Sequence, residues 1–399
     1  MVRNMWLMEL TSRVAEQPFK IPFAAAIILA INKEKPEAVD EVLTKAVTIL
    51  NEHLATGAWR EVKLVIRFLG CLQGVLDGDG VFALLDELFD RAVDLQTASS
   101  EDTLGLEIVK IILLTIPYIM ASSATSFHDH AVALLDKTDI IASTPHSLEA
   151  LAAPYPGTGG DGREPQSIIS LLQKQLQGES SQEWALTCLP RVWKALPAEE
   201  ETEGAATATK HALPAIEVPS PVTTGTRSTL PELSFSVYGE QEIETVPPTS
   251  SIASSILRDS LIDTIDLLHF NRNATAGFLI NLDGYFASGL FAKRATPFDQ
   301  LKTIEEGKAT WKPEDVAVDA VFSQLFKLPN PEHKLVYYHS VLTECCKLAP
   351  AAIAPSLGRA IRFLYRNIDI MDLELEYRFM DWFSHHLSNF GFTWKWSEW

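Results

Sequence analysis

The sequence predicts an all-α protein of stacked antiparallel helical pairs, and three observations carry that expectation. Apolar residues recur at the three-then-four spacing that lines one helix face, short polar or glycine-containing corners separate the stretches, and period-two alternation between hairpin turns is scarce. With 399 residues, 47% of them hydrophobic, the chain is long enough for two domains with separate cores. No strict repeat is visible, which fits degenerate two-helix repeats of about 40–47 residues, each pair burying its apolar face against its neighbours.

The first helical pair is the clearest. Val39, Val42, Leu43, Ala46, Val47, Leu50 and Leu54 form one stripe, Thr56-Gly57 breaks it, and a second stripe runs from Trp59 through Val62, Val65, Ile66, Leu69 and Leu72. Gly78-Asp79-Gly80 marks the next corner, followed by Val81, Phe82, Leu85, Leu88, Phe89 and Ala92. The most apolar window, Leu104 to Met120, is interrupted by Glu107, Lys110 and Pro117, short of the ~20 clean residues of a membrane span, and reads as a buried helix. A first helical domain is expected over residues 1–141.

Residues 142–250 look different. Pro154 to Gly160 cannot sustain a helix, a short helical island at 166–196 carries Ile168, Ile169, Leu172 and Leu176, and Pro197 to Ser251 is rich in Glu, Thr, Pro, Ala and Ser. So few large apolar residues predict a poorly ordered, mobile linker between the two domains. Helical spacing resumes at Ile252, Ile256, Leu257, Leu261, Ile265 and Leu268, opening a second helical domain at 251–399. Pro313 suits a first helical position, with Glu314 and Asp315 placed to favour the helix N-terminus. Three further helices follow, the last marked by Leu375, Phe379, Trp382, Phe383 and Leu387.

Composition narrows the function. A net charge of −19 disfavours a broad phosphate-binding surface, so DNA binding is not expected and any role with RNA is indirect. Cys71, Cys188, Cys345 and Cys346 lack disulfide or zinc spacing and read as free thiols of a reducing compartment. The N-terminal stretch, broken by Glu9, Arg13 and Glu16, lacks a secretory apolar core, which leaves the Asn273-Ala274-Thr275 sequon without weight. No membrane association is expected.

The C-terminal string Arg378-Phe379-Met380-Asp381-Trp382-Phe383-Ser384-His385-His386-Leu387-Ser388-Asn389-Phe390, followed by Phe392, Trp394, Trp396 and Trp399, closely resembles the large subunits of the nuclear cap-binding complex. The resemblance extends back through Phe322 to Pro329 and through Leu342, Glu344, Cys346, Lys347, Leu348 and Pro350. Leu64 to Leu69 looks like the family's first helical domain, an α-solenoid similar to the middle domain of translation initiation factor four-G. The resemblance implies a non-catalytic scaffold without cofactors. Its implied partner is a small subunit with an RNA-recognition motif, whose aromatic side chains hold the 7-methylguanosine cap, so capped RNA is reached indirectly. It further implies roles in splicing, export and nonsense-mediated decay, residence in the nucleus and shuttling to the cytoplasm. Against the family's three helical domains, this chain is expected to begin inside the first and to stop before the third. The composition also fits another acidic helical-repeat adaptor, such as a translation scaffold or nuclear transport receptor.

The signature residues Arg378, Phe379, Trp382, Phe383, His385, His386, Asn389, Phe390, Trp394, Trp396 and Trp399 are expected to be structural or partner-facing; no catalytic, cofactor or metal residue is assigned. His385 and His386 sit about 100° apart on a helix, poor for a shared metal, and His386 is expected as a hydrogen-bonded structural histidine. His128-Asp129-His130 reads as a surface loop, and Cys345 and Cys346 as core. A hydrolase using Cys346 or His386 lacks a visible base or oxyanion hole. Gly157 to Gly162 lacks the Lys-Ser/Thr of a phosphate loop, and Asp77 to Gly80 the later acids of a calcium loop. Trp394, Trp396 and Trp399 alternate, so their rings are expected on one side of an extended segment.

Overall fold

A computed structural model describes residues 2–156, 166–195, 209–305, 307–394 and 396–398, and no β-strand occurs among them. The protein is all-α, and it divides into two compact units, Met1–His146 with Ile169–Thr229 and Ser147–Ile168 with Leu230–Trp399.

The first unit contains α1 (Val2–Ser12), α2 (Ile21–Glu34), α3 (Glu37–Thr56), α4 (Trp59–Cys71), α5 (Val81–Ala98), α6 (Leu104–Ala142) and α7 (Ile168–Ser181). The α3 stripe is buried from Val39 to Leu54, and α4 is buried on nearly every side, so α4 is the axis against which α2, α3 and α6 pack. Arg67 is the largest polar intruder there, its guanidinium 5.4 Å from the centre of the Tyr118 ring. The apolar stretch Leu104–Ser122 meets the length and composition of a membrane span, contrary to the sequence-based reading, yet 89% of it is buried inside the protein. His128-Asp129-His130 lies within α6 rather than in a loop. The Nε1–H of buried Trp184 donates to His128 Nδ1 at 3.1 Å.

The proline-rich segment is where the structure corrects the sequence most clearly. Residues 196–208 and the glycine-rich run lie outside the described residues, but 209–229 is laid along the first unit as an extended strap. His211 is buried, with Nδ1 2.7 Å from Asp40 and Nε2 2.7 Å from Asn32 Oδ1, while its backbone exchanges hydrogen bonds with Val75 and Asp77. Further on, Trp59 Nε1 donates to the Thr223 carbonyl at 3.1 Å and Thr103 Oγ1 to that of Ser228 at 2.8 Å. The strap cannot fold alone, but it needs no core of its own, because helix side chains satisfy its backbone polar groups.

One crossing requires glycine on both sides. Gly57 ends α3 at φ 70°, and a Cβ there would lie 2.7 Å from the Thr223 carbonyl oxygen; a Cβ on Gly225 would lie 1.9 Å from the Gly57 oxygen.

The second unit contains α8 (Ile252–Leu267), α9 (Arg272–Ile280), α10 (Phe298–Leu301), α11 (Pro313–Leu325), α12 (Leu335–Leu348), α13 (Pro350–Asn367) and α14 (Leu373–Asn389). Starts are set locally: Ser251, Asn271 and Asp372 each accept a backbone N–H of the first turn, and Pro313 opens α11. Buried along almost its whole length, α11 packs against α8, α9, α12 and α13.

The strap continues here as 230–251, again in place of a free linker. Phe235, Val237 and Tyr238 are buried, Val237 N–H donates to Asp319 at 2.8 Å, and the Tyr238 hydroxyl meets Ser356 Oγ at 2.6 Å.

Candidate functional site

A helix buried all round has no solvent face for its charges, so α11 must pair them inside. Asp315 is held by Arg359, Asp319 by Arg258 at 2.7 Å, and Glu314 by Lys312 at 3.0 Å. Burial pushes the Asp315 and Asp319 carboxyls up, and Arg359 and Arg258 oppose that shift. Glu314 and Asp315, expected as helix-end charges, therefore also anchor the unit. Asp319 and its arginine were missed in the sequence. A third acid, four residues after Asp315 in an otherwise apolar helix, was the available signal.

The signature string builds α14 and joins it to the end of α11. Arg378 is 2% exposed, and its guanidinium donates to the carbonyls of Leu325 (3.2 Å), Lys327 (2.8 Å) and Pro329 (2.6 Å), with Nε to Glu374 at 2.9 Å. It thus satisfies carbonyls that a helix end and its following loop leave without partners. One turn on, Trp382 is fully buried, edge-on to Phe322 and flanked by Phe379 and His386.

His386 is buried and stacked on Trp382 with centroids 5.5 Å apart, but its Nδ1 has no hydrogen-bond partner among the described residues. The expected hydrogen bond is replaced by ring packing. Burial first, and neighbouring His385 second, lower its pKa to about 4, so it is neutral near pH 7. His385 is half-buried beside His339, and Asn389 Nδ2 donates to the His385 carbonyl at 2.8 Å. Phe390 packs on His386 with ring centroids 4.8 Å apart.

The tail does not form the expected extended segment. Residues 396–398 make a single 3-10 turn, and the Trp396 N–H donates to the Trp394 carbonyl at 3.0 Å. Trp394 lies edge-on to half-buried Phe383 at 5.5 Å, Trp396 is 6.4 Å from the same ring and 57% exposed, and Trp399 lies outside the described residues.

None of this assembles a reactive centre. No group of three or more His, Cys, Asp or Glu residues is placed to hold a metal among the described residues. All four cysteines are buried; burial pushes Cys71, Cys188 and Cys345 up to about 12 and raises Cys346, which leaves them poor nucleophiles. The arrangement presents helical surfaces around a polar-pinned core.

That architecture is an all-α stack of helices, and residues 247–399 match the family described as MIF4G like. Along its length the chain is 32% identical to nuclear cap-binding protein subunit 1 of Schizosaccharomyces pombe, over 385 residues covering 96% of this chain and 48% of that protein. It is 28% identical to nuclear cap-binding protein complex subunit 1 of Eremothecium gossypii, covering 99% of this chain and 50% of that protein. The Saccharomyces cerevisiae protein of the same name is also 28% identical, covering 99% and 49%. The chain is similar to these large cap-binding subunits along nearly all of its own length and spans about half the length of each.

Proposed function

We propose that this chain acts as a non-catalytic scaffold in a nuclear cap-binding complex, stabilising a small RNA-recognition-motif subunit that holds the 7-methylguanosine cap. The observation carrying this reading is similarity to the Schizosaccharomyces pombe subunit over 96% of the chain. The signature from Arg378 to Phe390 supports it as a fastened helix that stiffens a docking surface. In this reading the signature residues act as architecture, apart from Trp396, whose exposed ring faces a partner. The complex works in the nucleus, shuttles to the cytoplasm, and serves splicing, export and nonsense-mediated decay through further proteins. The net charge of −19 agrees with reaching capped RNA only through the small subunit.

The test is co-expression of the 399-residue chain with the small subunit of the same organism, followed by retention on 7-methylguanosine resin. Retention of both chains that free cap analogue releases is the expected result. A small subunit that binds the resin while this chain flows through would remove the proposal and favour another acidic adaptor.

A further inference from the structure

The outer face of α14 carries an apolar stripe that the core does not use. Leu373, Tyr377 and Met380 fall at i, i+4 and i+7, so they lie one above another along about 10 Å of helix, and they are 62%, 58% and 41% exposed. On the opposite face Leu375, Phe379 and Trp382 are buried and hold the helix to the unit, which gives the stripe a rigid support. Phe383 follows Met380 by three residues, and the exposed ring of Trp396, 6.4 Å from that of Phe383, carries the apolar surface past the stripe. Single exposed apolar residues are ordinary, whereas a contiguous row marks a contact surface.

Acids border the stripe on both sides. At 100° per residue, Glu374 and Asp381 fall on one flank and Glu376 on the other, with Asp369 and Asp372 just before the first turn. Between Asp369 and Trp394 the sequence holds no Lys and one Arg, Arg378, which is buried and committed to backbone carbonyls and to Glu374. Asp381 has His339 Nδ1 at 4.0 Å, but burial lowers the pKa of that ring to about 4, so it is neutral near pH 7 and leaves the Asp381 charge in place. Glu376 and Asp369 make no ion pair among the described residues.

We infer that this face of α14 docks a basic amphipathic helix of a partner protein, whose apolar side chains pack on Leu373, Tyr377 and Met380 and whose flanking Lys and Arg meet Glu374, Glu376 and Asp381. The sign of the charge selects this occupant. A second copy of the chain would set the same acids against one another across a two-fold contact, and RNA phosphates or an anionic lipid surface meet the same repulsion. Only side chains of the second unit take part, so binding of such a helix and retention on cap resin succeed or fail separately.

Fluorescence anisotropy with the full 399-residue chain tests it, using a labelled peptide of about 18 residues with Leu along one helical face and Lys on both flanks, and its counterpart with every Lys changed to Glu. The lysine peptide should bind, less tightly as salt rises, and the glutamate peptide should bind at least about tenfold more weakly. Tyr377→Ser with Met380→Ser should reduce affinity by about tenfold or more and leave thermal unfolding unchanged, since both side chains are exposed. Glu376→Gln with Asp381→Asn should reduce it by about threefold or more. Asp90→Asn with Asp94→Asn, an equal change of charge at exposed positions of α5, should alter it by less than about twofold, which separates docking on α14 from attraction to an acidic chain at large. If the serine pair fails to fold, Tyr377→Ser alone decides, with a loss of about threefold or more expected. Absence of peptide binding, equal binding of the glutamate peptide, affinity unchanged by the α14 substitutions, or an equal loss in the α5 control would each overturn the assignment. A dimer in sedimentation that the serine pair dissolves would overturn it too, in favour of a second copy.

Discussion

The ring of Trp382 meets that of Phe322 edge-on, with centroids 4.8 Å apart and planes at 82°, so α14 is fastened to α11 by a fully buried aromatic pair. Both rings are completely removed from solvent, and the surrounding helices cannot collapse into the space a truncation would leave. Trp382→Ala should cost ~3–5 kcal/mol in chemical denaturation. Trp382→Phe keeps much of the contact and should cost less than half of that. A loss below about 1 kcal/mol for the alanine variant would contradict the packing described.

Arg378 is the polar counterpart of that pair. Replacing it with Met keeps the stem but leaves the carbonyls of Leu325, Lys327 and Pro329 without their donor, so Arg378→Met should destabilise by ~3–5 kcal/mol. Arg378→Lys, with one donor centre in place of a fork, should recover only part of this. By contrast, Arg13→Ala breaks an exposed 2.6 Å pair with Glu9 and should change stability by less than about 0.5 kcal/mol. Parallel urea titrations of the three variants make the comparison.

His386 sets a pH dependence whose sign follows from its burial. Its pKa falls from 6.5 to about 4 in the folded protein, so below pH 6.5 the unfolded chain takes up a proton that the folded chain refuses. The stability tied to this ring is present in full above that pH and lost as pH drops toward 4, up to about 3 kcal/mol. His386→Phe keeps an aromatic ring on Trp382 and removes the proton. Its unfolding free energy should fall less steeply between pH 6.5 and 4.5 than that of the parent, and identical slopes would refute the neutral, buried ring.

The strap over the first unit depends on the crossing of Gly57 and Gly225. Gly57→Ala forces a side chain onto the Thr223 carbonyl at a left-handed position and should cost ~1–3 kcal/mol. His211→Ala removes the bonds to Asp40 and Asn32 without touching the helices. Limited proteolysis followed by mass spectrometry should show faster cleavage within 209–229 for both variants. Unchanged cleavage would mean that the strap is held elsewhere.

The helices were legible because their information is local. The stripe from Val39 to Leu54, the break at Thr56-Gly57 and the proline at the start of α11 each act within a turn or two of chain, where spacing alone states which side is buried. The string from Arg378 to Phe390 was legible as a signature. Its chemistry was not, since Arg378 acts on carbonyls some fifty residues earlier in the chain. The strap was misread for a related reason: composition reports whether a segment can bury its own core, not whether a folded surface already waits to receive it.

By itself, the sequence determined the fold class, the main helices, the acidic character of the chain and its resemblance to the large cap-binding subunits. Only the tertiary structure decided which charges are paired inside, that Arg359 and Arg258 pair with acids of a helix buried along almost its whole length, and that the Nδ1 of His386 packs without a hydrogen-bond partner among the described residues. It alone decided that residues 209–251 lie along the helices of the two units. Helix formation is written in neighbours three and four residues apart, whereas burial, pairing and concavity depend on groups brought together from distant parts of the chain.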